Sequence, residues 1–232
     1  MSKKWSKFLD AFIDHKMYEV VLEGLRNTIV IAVAGLLIGI LVGTIIASIR
    51  IMPKYKKSAK ILDKIAYAYV SFFRGTPIVV QLLLGYYVLF PLMGIHLSPL
   101  VTCILIFGLN SSAYTSEIMR AGMDSVDKGQ LEAARALGMG YWPSMLRVVI
   151  PQAIKNILPT LGNEFISLIK ETSVVSFVTA MDIYTAFQKI GGQNYEYIIP
   201  YLVMAAIYII LVLGIGALIK LMERSLKKSD RN

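Results

Sequence analysis

The residues best placed to do chemistry stand in apolar surroundings. Thr160 to Ala180 is mostly apolar yet carries Glu164, Lys170 and Glu171, and Asn163 and Ser167 add neutral hydrogen-bonding groups. Asn110, Ser111, Ser112 and Tyr114 interrupt a second apolar stretch, and Thr76 and Gln81 a third. Ionisable groups in membrane helices usually face a cavity, a partner or a pathway. Pattern alone also allows Thr160 to Ala180 to be an amphipathic helix of a soluble domain. At helical spacing Asn163 and Ser167 share one face, and Glu164 and Glu171 another. Bond-making chemistry is not signalled. His15 and His96 stand away from these groups, Cys103 has no evident base, and there is neither an H-E-x-x-H motif nor a G-x-x-x-x-G-K-[ST] phosphate loop.

The elements that must carry these groups read as membrane spans. The 232 residues are 56% hydrophobic and 17% charged, against roughly 25% charged in an ordinary soluble domain. That excludes a disordered chain, and a single cysteine excludes a disulfide-stapled module. Asn27 to Ile49 and Tyr197 to Ile219 carry no charge, and each is about long enough to cross a hydrocarbon core of roughly 30 Å. Gly75 to Ser116 is uncharged too but holds breaks at Phe90 to Gly94 and at Ser98-Pro99. The expectation is an all-α membrane protein with five spans at about 27–49, 61–90, 99–120, 160–180 and 197–219. Proline should kink the second span at Arg74-Gly75-Thr76-Pro77. Gly35, Gly39 and Gly43 make a small-residue stripe for close helix contact, within the chain or between chains.

The net charge of +9 is partitioned along the chain. Arg50, Lys54, Lys56, Lys57, Lys60 and Lys64 lie between spans one and two. Arg120, Lys128, Arg135, Arg147 and Lys155 follow span three, and Lys220, Arg224, Lys227, Lys228 and Arg231 form the tail at 223–232 or border it. The two remaining connections hold only Lys189. By the positive-inside rule, loop 121–159 and the C-terminus are cytoplasmic and the N-terminus is outside. The excess thus reads as orientation, and no nucleic acid partner is expected. Residues 1–26 place Trp5, Phe8, Leu9, Phe12 and Ile13 at amphipathic spacing, which suggests an interfacial helix. No signal peptide is read there.

The loop at 121–159 is punctuated as short helices. Asp127 and Gln130 have capping-box spacing. Gln130 to Leu137 is a good helix former, ended by Gly138 and Gly140. Pro143 can open a second short helix and Pro151 interrupts it. A helix surfaced by alanines lets another protein approach, or packs on its own spans.

Here the sequence resembles a known family. Glu132-Ala133-Ala134, three residues, Gly138, nine residues, then Val148-Val149-Ile150-Pro151 resembles the EAA loop of ABC importer permeases. Val148 and Ile150 depart conservatively from the family's Ile and Leu. Phe73 to Pro77 with Gln81, Ala113-Tyr114 with Glu117-Ile118 and Arg120, Lys128-Gly129-Gln130, Leu161 to Phe165 and Lys170 to Ser173 resemble its polar amino acid subfamily. The resemblance implies a type I permease fold over 27–222, with Glu132, Ala133, Ala134, Leu137 and Gly138 in an ATPase-coupling helix. It implies a bacterial plasma-membrane complex: two ABC ATPase subunits, a second permease subunit that is a copy or close paralogue, and an external amino-acid-binding protein. ATP and magnesium belong to the ATPase, and no cofactor, metal or catalytic residue is expected on this chain. A polar amino acid, cationic or glutamine, would meet Thr76, Gln81, Asn110, Ser112, Tyr114, Asn163, Glu164, Ser167 and Lys170, with Glu164 first as partner for an ammonium. A channel or a membrane-embedded enzyme are the alternatives. Lys189 to Gln193 resembles the ATPase signature L-S-G-G-Q, but it stands without a phosphate loop and reads as a Gly-Gly turn.

Overall fold

The computed structural model describes residues 2–52 and 54–228; Arg231 of the tail lies outside them. All regular elements among the described residues are helical. α1 (Ser2–Leu9) passes through a π turn at Asp10–Asp14 to a corner at Lys16, which takes a left-handed φ of 52°. α2 (Met17–Ile51) and α10 (Ile198–Lys228) are long and apolar enough to cross a membrane. So is the pair α3 (Lys57–Gly75) and α4 (Ile78–Leu92), if counted as one bent span. α5 (Pro99–Asp124) and α8 (Ile150–Glu171) are of spanning length but carry the polar residues singled out above. Short α6 (Lys128–Ala136), α7 (Tyr141–Ser144) and α9 (Ile183–Asn194) complete the chain.

The main packing is α2 against α5, and the glycine stripe makes it possible. A Cβ on Gly39 would stand 2.7 Å from Ser111 Oγ, and one on Gly43 3.0 Å from the Ser112 carbonyl oxygen. Gly35 meets Phe107 and Gly108. The stripe is therefore a contact within the chain. Between helices in lipid the hydrophobic drive is weak, so close backbone approach and hydrogen bonds carry the association. Ile31, Ala32, Cys103, Phe107, Leu168 and Ile169 share the buried centre where α2, α5 and α8 meet.

A second buried cluster joins Phe8, Ala11 and Val21 to Ile183, Phe187 and Ile199. The N-terminal stripe is divided: Phe8 is buried against the chain, and Trp5, Leu9 and Ile13 are exposed. Lys4 pairs with Glu196 at 3.1 Å, and its hydrogen bond holds that carboxyl below the usual carboxylate range.

Span two is broken, not kinked. α3 and α4 meet at 106°. Proline forces the preceding residue out of the helical region, and Thr76 is extended at φ −121°, ψ 145°. In a continuous helix the Phe73 carbonyl would take the N–H of residue 77, which proline lacks. Two side-chain amides replace it. Gln81 Nε2 donates to the Phe73 carbonyl at 2.9 Å and to the Thr76 carbonyl at 3.0 Å. Asn110 Nδ2, from α5, donates to Phe73 at 3.3 Å and to Gln81 Oε1 at 2.9 Å. Thr76 Oγ1 donates to the Phe72 carbonyl at 2.8 Å, in place of its own displaced N–H.

The break expected at Phe90 to Gly94 is present: helix ends at Leu92, and Gly94 takes a left-handed φ of 70° before α5 opens at Pro99. Pro151 does less than expected. Helix continues through it, as it does for one residue past Pro91, and each proline is preceded by a π turn, at Gly85–Leu89 and Met145–Val149. The carbonyls four residues before these prolines lie inside the π turns, whose bonds run five residues on. Span four therefore begins as helix at Ile150, inside the loop of 121–159, and Pro159 is interior to it. Gly191-Gly192 is no turn. It lies within α9, capped by Asp182, whose carboxylate accepts from Thr185 N at 2.8 Å. Gly191 makes room for the Tyr197 ring, to which a Cβ would come within 2.3 Å.

Two substitutions test this packing by thermal unfolding in detergent. Gly43→Ala should cost about 1–3 kcal/mol, as overpacking does, whereas Gly216→Ala, with nothing within 4 Å, should be neutral or slightly stabilising. Asn110→Leu strips partners from the Phe73 carbonyl and Gln81 and should cost about 1–3 kcal/mol; an unchanged midpoint would show that the break does not depend on them.

Candidate functional site

The polar residues expected together do not form one site. Thr76, Gln81 and Asn110 are spent on the break of span two. Ser112 is also engaged, with Tyr69 Oη at 2.7 Å and the Leu109 carbonyl at 2.7 Å. These four lock α3, α4 and α5 together.

A second group lies on the open side of α5 and α8. Ser111 donates to Glu164 Oε1 at 2.9 Å, so the carboxylate is fixed where α8 crosses α5. Glu164 and Ser167 are half-buried and Asn163 is exposed. Tyr114 is half-buried, with the Arg74 guanidinium 5.5 Å from its ring centre. The break leaves Arg74 at the end of α3 over the Tyr114 ring, and Ser111, three residues before Tyr114 on α5, holds the Glu164 carboxylate. A guanidinium and a carboxylate together offer partners for both ends of a zwitterion.

Lys170 departs from this group. It turns to the opposite flank and lines a cleft of about 630 Å³ with Tyr184, Met204 and Tyr208.

 Glu164 and Lys170 therefore face different neighbours, and the helix separates them.

The third group was not anticipated as a unit. Glu117, near the end of α5, contacts Arg50 from α2, Arg120 at 2.9 Å and Arg74 from α3 at 3.9 Å. Arg120 also pairs with Asp124 at 2.7 Å. The signal was available in part: Glu117 and Arg50 each end an uncharged run, where an ionisable group needs a partner.

The loop residues stand apart from all three groups. Asp127 caps α6 by accepting from Gly129 N at 2.7 Å, and the Gln130 side chain reaches Gln152 at 3.3 Å instead of closing a capping box. Ala134 is buried against the chain, and Glu132 and Ala133 are exposed. Leu137 is 84% exposed. Gly138 follows it at φ 85°, a left-handed conformation that ends the helix. Trp142 and Leu146 are exposed nearby in sequence. No group of three or more potential metal ligands occurs among the described residues.

Comparison with known proteins agrees with this architecture. The family model described as "Binding-protein-dependent transport system inner membrane component" matches residues 35–228. The arginine transport system permease protein ArtQ of Bacillus subtilis (strain 168) is 38% identical over 210 residues, covering 90% of this chain and 94% of that protein. The putative glutamine transport system permease protein GlnP of Rickettsia bellii (strain RML369-C) is 37% identical over 206 residues, covering 89% and 92%. Among solved structures, a chain of an amino acid ABC transporter crystallised with histidines superposes with a TM-score of 0.85 at 38% identity, over 93% of this chain and 98% of that one. A chain of the inward-facing MetNI methionine ABC transporter, 17% identical, shares the fold with a TM-score of 0.75 over 91% and 98%. The chain belongs to the family of binding-protein-dependent transport system inner membrane components, and it has their all-helical permease fold.

Proposed function

We propose that this chain is the permease subunit of an ATP-driven importer of a polar amino acid, either cationic or glutamine. The observation that carries the reading is the exposed apolar end of α6. Leu137 is 84% exposed just past a short helix held by a cap and a left-handed glycine, and Trp142 and Leu146 are exposed in the same loop, an apolar set suited to a groove on a partner. The partner is a separate ABC ATPase, two copies per complex, which holds the ATP and magnesium. Glu132, Ala133, Ala134, Leu137 and Gly138 form the docking element.

Five crossings account for the architecture: α2, the broken α3–α4 pair, α5, α8 and α10. The distribution of basic residues over the connections supports α6 and the C-terminus in the cytoplasm and α1 outside. A second permease subunit completes the pathway, and an external binding protein delivers the substrate. ATP-driven closure of the ATPase pair moves α6, and α7 and α8 follow it as nearly continuous helix. The pathway then alternates between its two openings, a two-state element that both the ATPase and the substrate bias.

The relatives named for arginine and glutamine support an amino acid as substrate. Glu164, Ser167 and Asn163 on α8 and Tyr114 on α5 line the substrate path, with Arg74 available to a carboxylate and Glu164 to an ammonium.

Two variants test the assignments. Leu137→Asp should leave thermal stability unchanged, because the side chain is solvent-exposed, and should weaken capture of the ATPase by tenfold or more, about 1.4 kcal/mol; undiminished capture would remove Leu137 from the docking element. Glu164→Gln keeps an acceptor for Ser111 and removes only charge. It should lower uptake of arginine more than uptake of glutamine, and unchanged uptake of both would remove Glu164 from the path.

A further inference from the structure

A second cleft, of about 560 Å³, opens where α2 ends and α3 begins. Ile49, Met52 and Leu62 make it apolar, and Tyr55 and Trp142 are its aromatic members. Tyr55 is 93% and Trp142 62% exposed. A cleft of this size takes a bulky side chain and its neighbours. The corner that holds it is hydrophilic: Lys54 to Lys60 contains four lysines in seven residues, and Lys54 pairs with Asp63 at 2.6 Å. Exposed aromatic and apolar groups gathered within a polar rim are the mark of a protein contact.

Trp142 ties this cleft to the loop that carries α6. Gly138 N donates to the Arg135 carbonyl at 3.0 Å, Met139 N to the Ala134 carbonyl at 3.2 Å and Ser144 N to the Gly140 carbonyl at 3.0 Å. Leu131 of α6 and Tyr141, next to Trp142, pack on one buried cluster that includes Val126, Met145 and Val149. The stretch from the end of α6 to Trp142 is therefore held by its own backbone and by a common base. Leu137, Trp142 and Leu146 are exposed along it, and Trp142 also lines the cleft beside Tyr55. A partner that covers α6 and Trp142 thus meets the corner between α2 and α3.

We propose that the ABC ATPase engages this cleft as a second docking point, seating an apolar side chain between Tyr55 and Trp142. The choice of partner rests on the docking role proposed for α6, with which the cleft is continuous through Trp142. Aromatic anchors around a desolvated pocket carry most of the affinity of such a contact. Lys56 lines the cleft without an acidic partner among the described residues, so a carboxylate beside the seated side chain finds a counterion there. One exposed pair of this kind adds little. An ATPase held at both points grips the start of the broken span as well as α6, and its movement reaches α3 directly.

Photocrosslinking in the assembled complex, held in nanodiscs of phosphatidylcholine and phosphatidylglycerol, tests this. Photoreactive benzoylphenylalanine replaces Tyr55, Leu137 or, as a control between α9 and α10, Tyr195, which is 89% exposed. Illumination should join the chain to the tagged ATPase from positions 55 and 137 and not from 195. An ATPase adduct from 137 with none from 55, or with lipid adducts alone from 55, would overturn the proposal and leave the docking role of α6 standing. An adduct from 55 alone would support the cleft and overturn the role of Leu137. No ATPase adduct from either position would overturn both. In a titration of ATPase onto the purified full chain, Tyr55→Asp should weaken binding on the order of tenfold, with Tm unchanged because the side chain is exposed. Tyr195→Asp should leave binding as it was. Undiminished binding by Tyr55→Asp would also overturn the proposal.

Discussion

One missing N–H organises the middle of this protein. Pro77 cannot donate to the Phe73 carbonyl, and a carbonyl left unpaired away from water is costly. Gln81 and Asn110 satisfy it, and Asn110 comes from α5. The break is thus held by side chains on both sides of the contact between α4 and α5. Its consequences spread outward. The end of α3 is freed to present Arg74 beside Tyr114, and Glu117 gathers Arg74, Arg50 and Arg120 from three helices.

The second organising residue is Ser111. On one side Gly39 lets α2 come against it, and on the other it donates to Glu164 of α8. One hydroxyl therefore links the close contact of α2 with α5 to the half-buried carboxylate. In a membrane, where burial of apolar surface gives helices little reason to associate, small residues and hydrogen bonds of this kind carry the packing. The group expected to touch substrate is positioned by the same contacts that hold the helices.

Much of this was legible in the residues. The four-residue spacing of Gly35, Gly39 and Gly43 announces close contact, and Asp127 announces the start of a helix. What the spacing does not contain is the neighbour, so the stripe's partner, α5, was open. Pro77 implies an extended Thr76 by local sterics, but a turn of 106° depends on α5 to stabilise it. Gln81 and Asn110 looked like pathway residues because a polar side chain in an apolar span has the same appearance whether it awaits a ligand or serves a backbone carbonyl. Pro151 looked like a break because a π turn leaves no local mark in composition, whereas the run from Phe90 to Gly94 does end its helix, at Leu92. Gly191-Gly192 looked like a turn, although Asp182 and Thr185 carried the signal for a helix start.

The central claim is that this chain is a conduit powered by a separate ATPase. Uptake of labelled arginine and glutamine into proteoliposomes, with and without the ATPase subunits and ATP, tests it most directly. The account predicts accumulation of one of them only when the permease, the ATPase, ATP and the external binding protein are all present. Equilibration of either amino acid through this chain alone, unaffected by ATP, would contradict it and point to a channel.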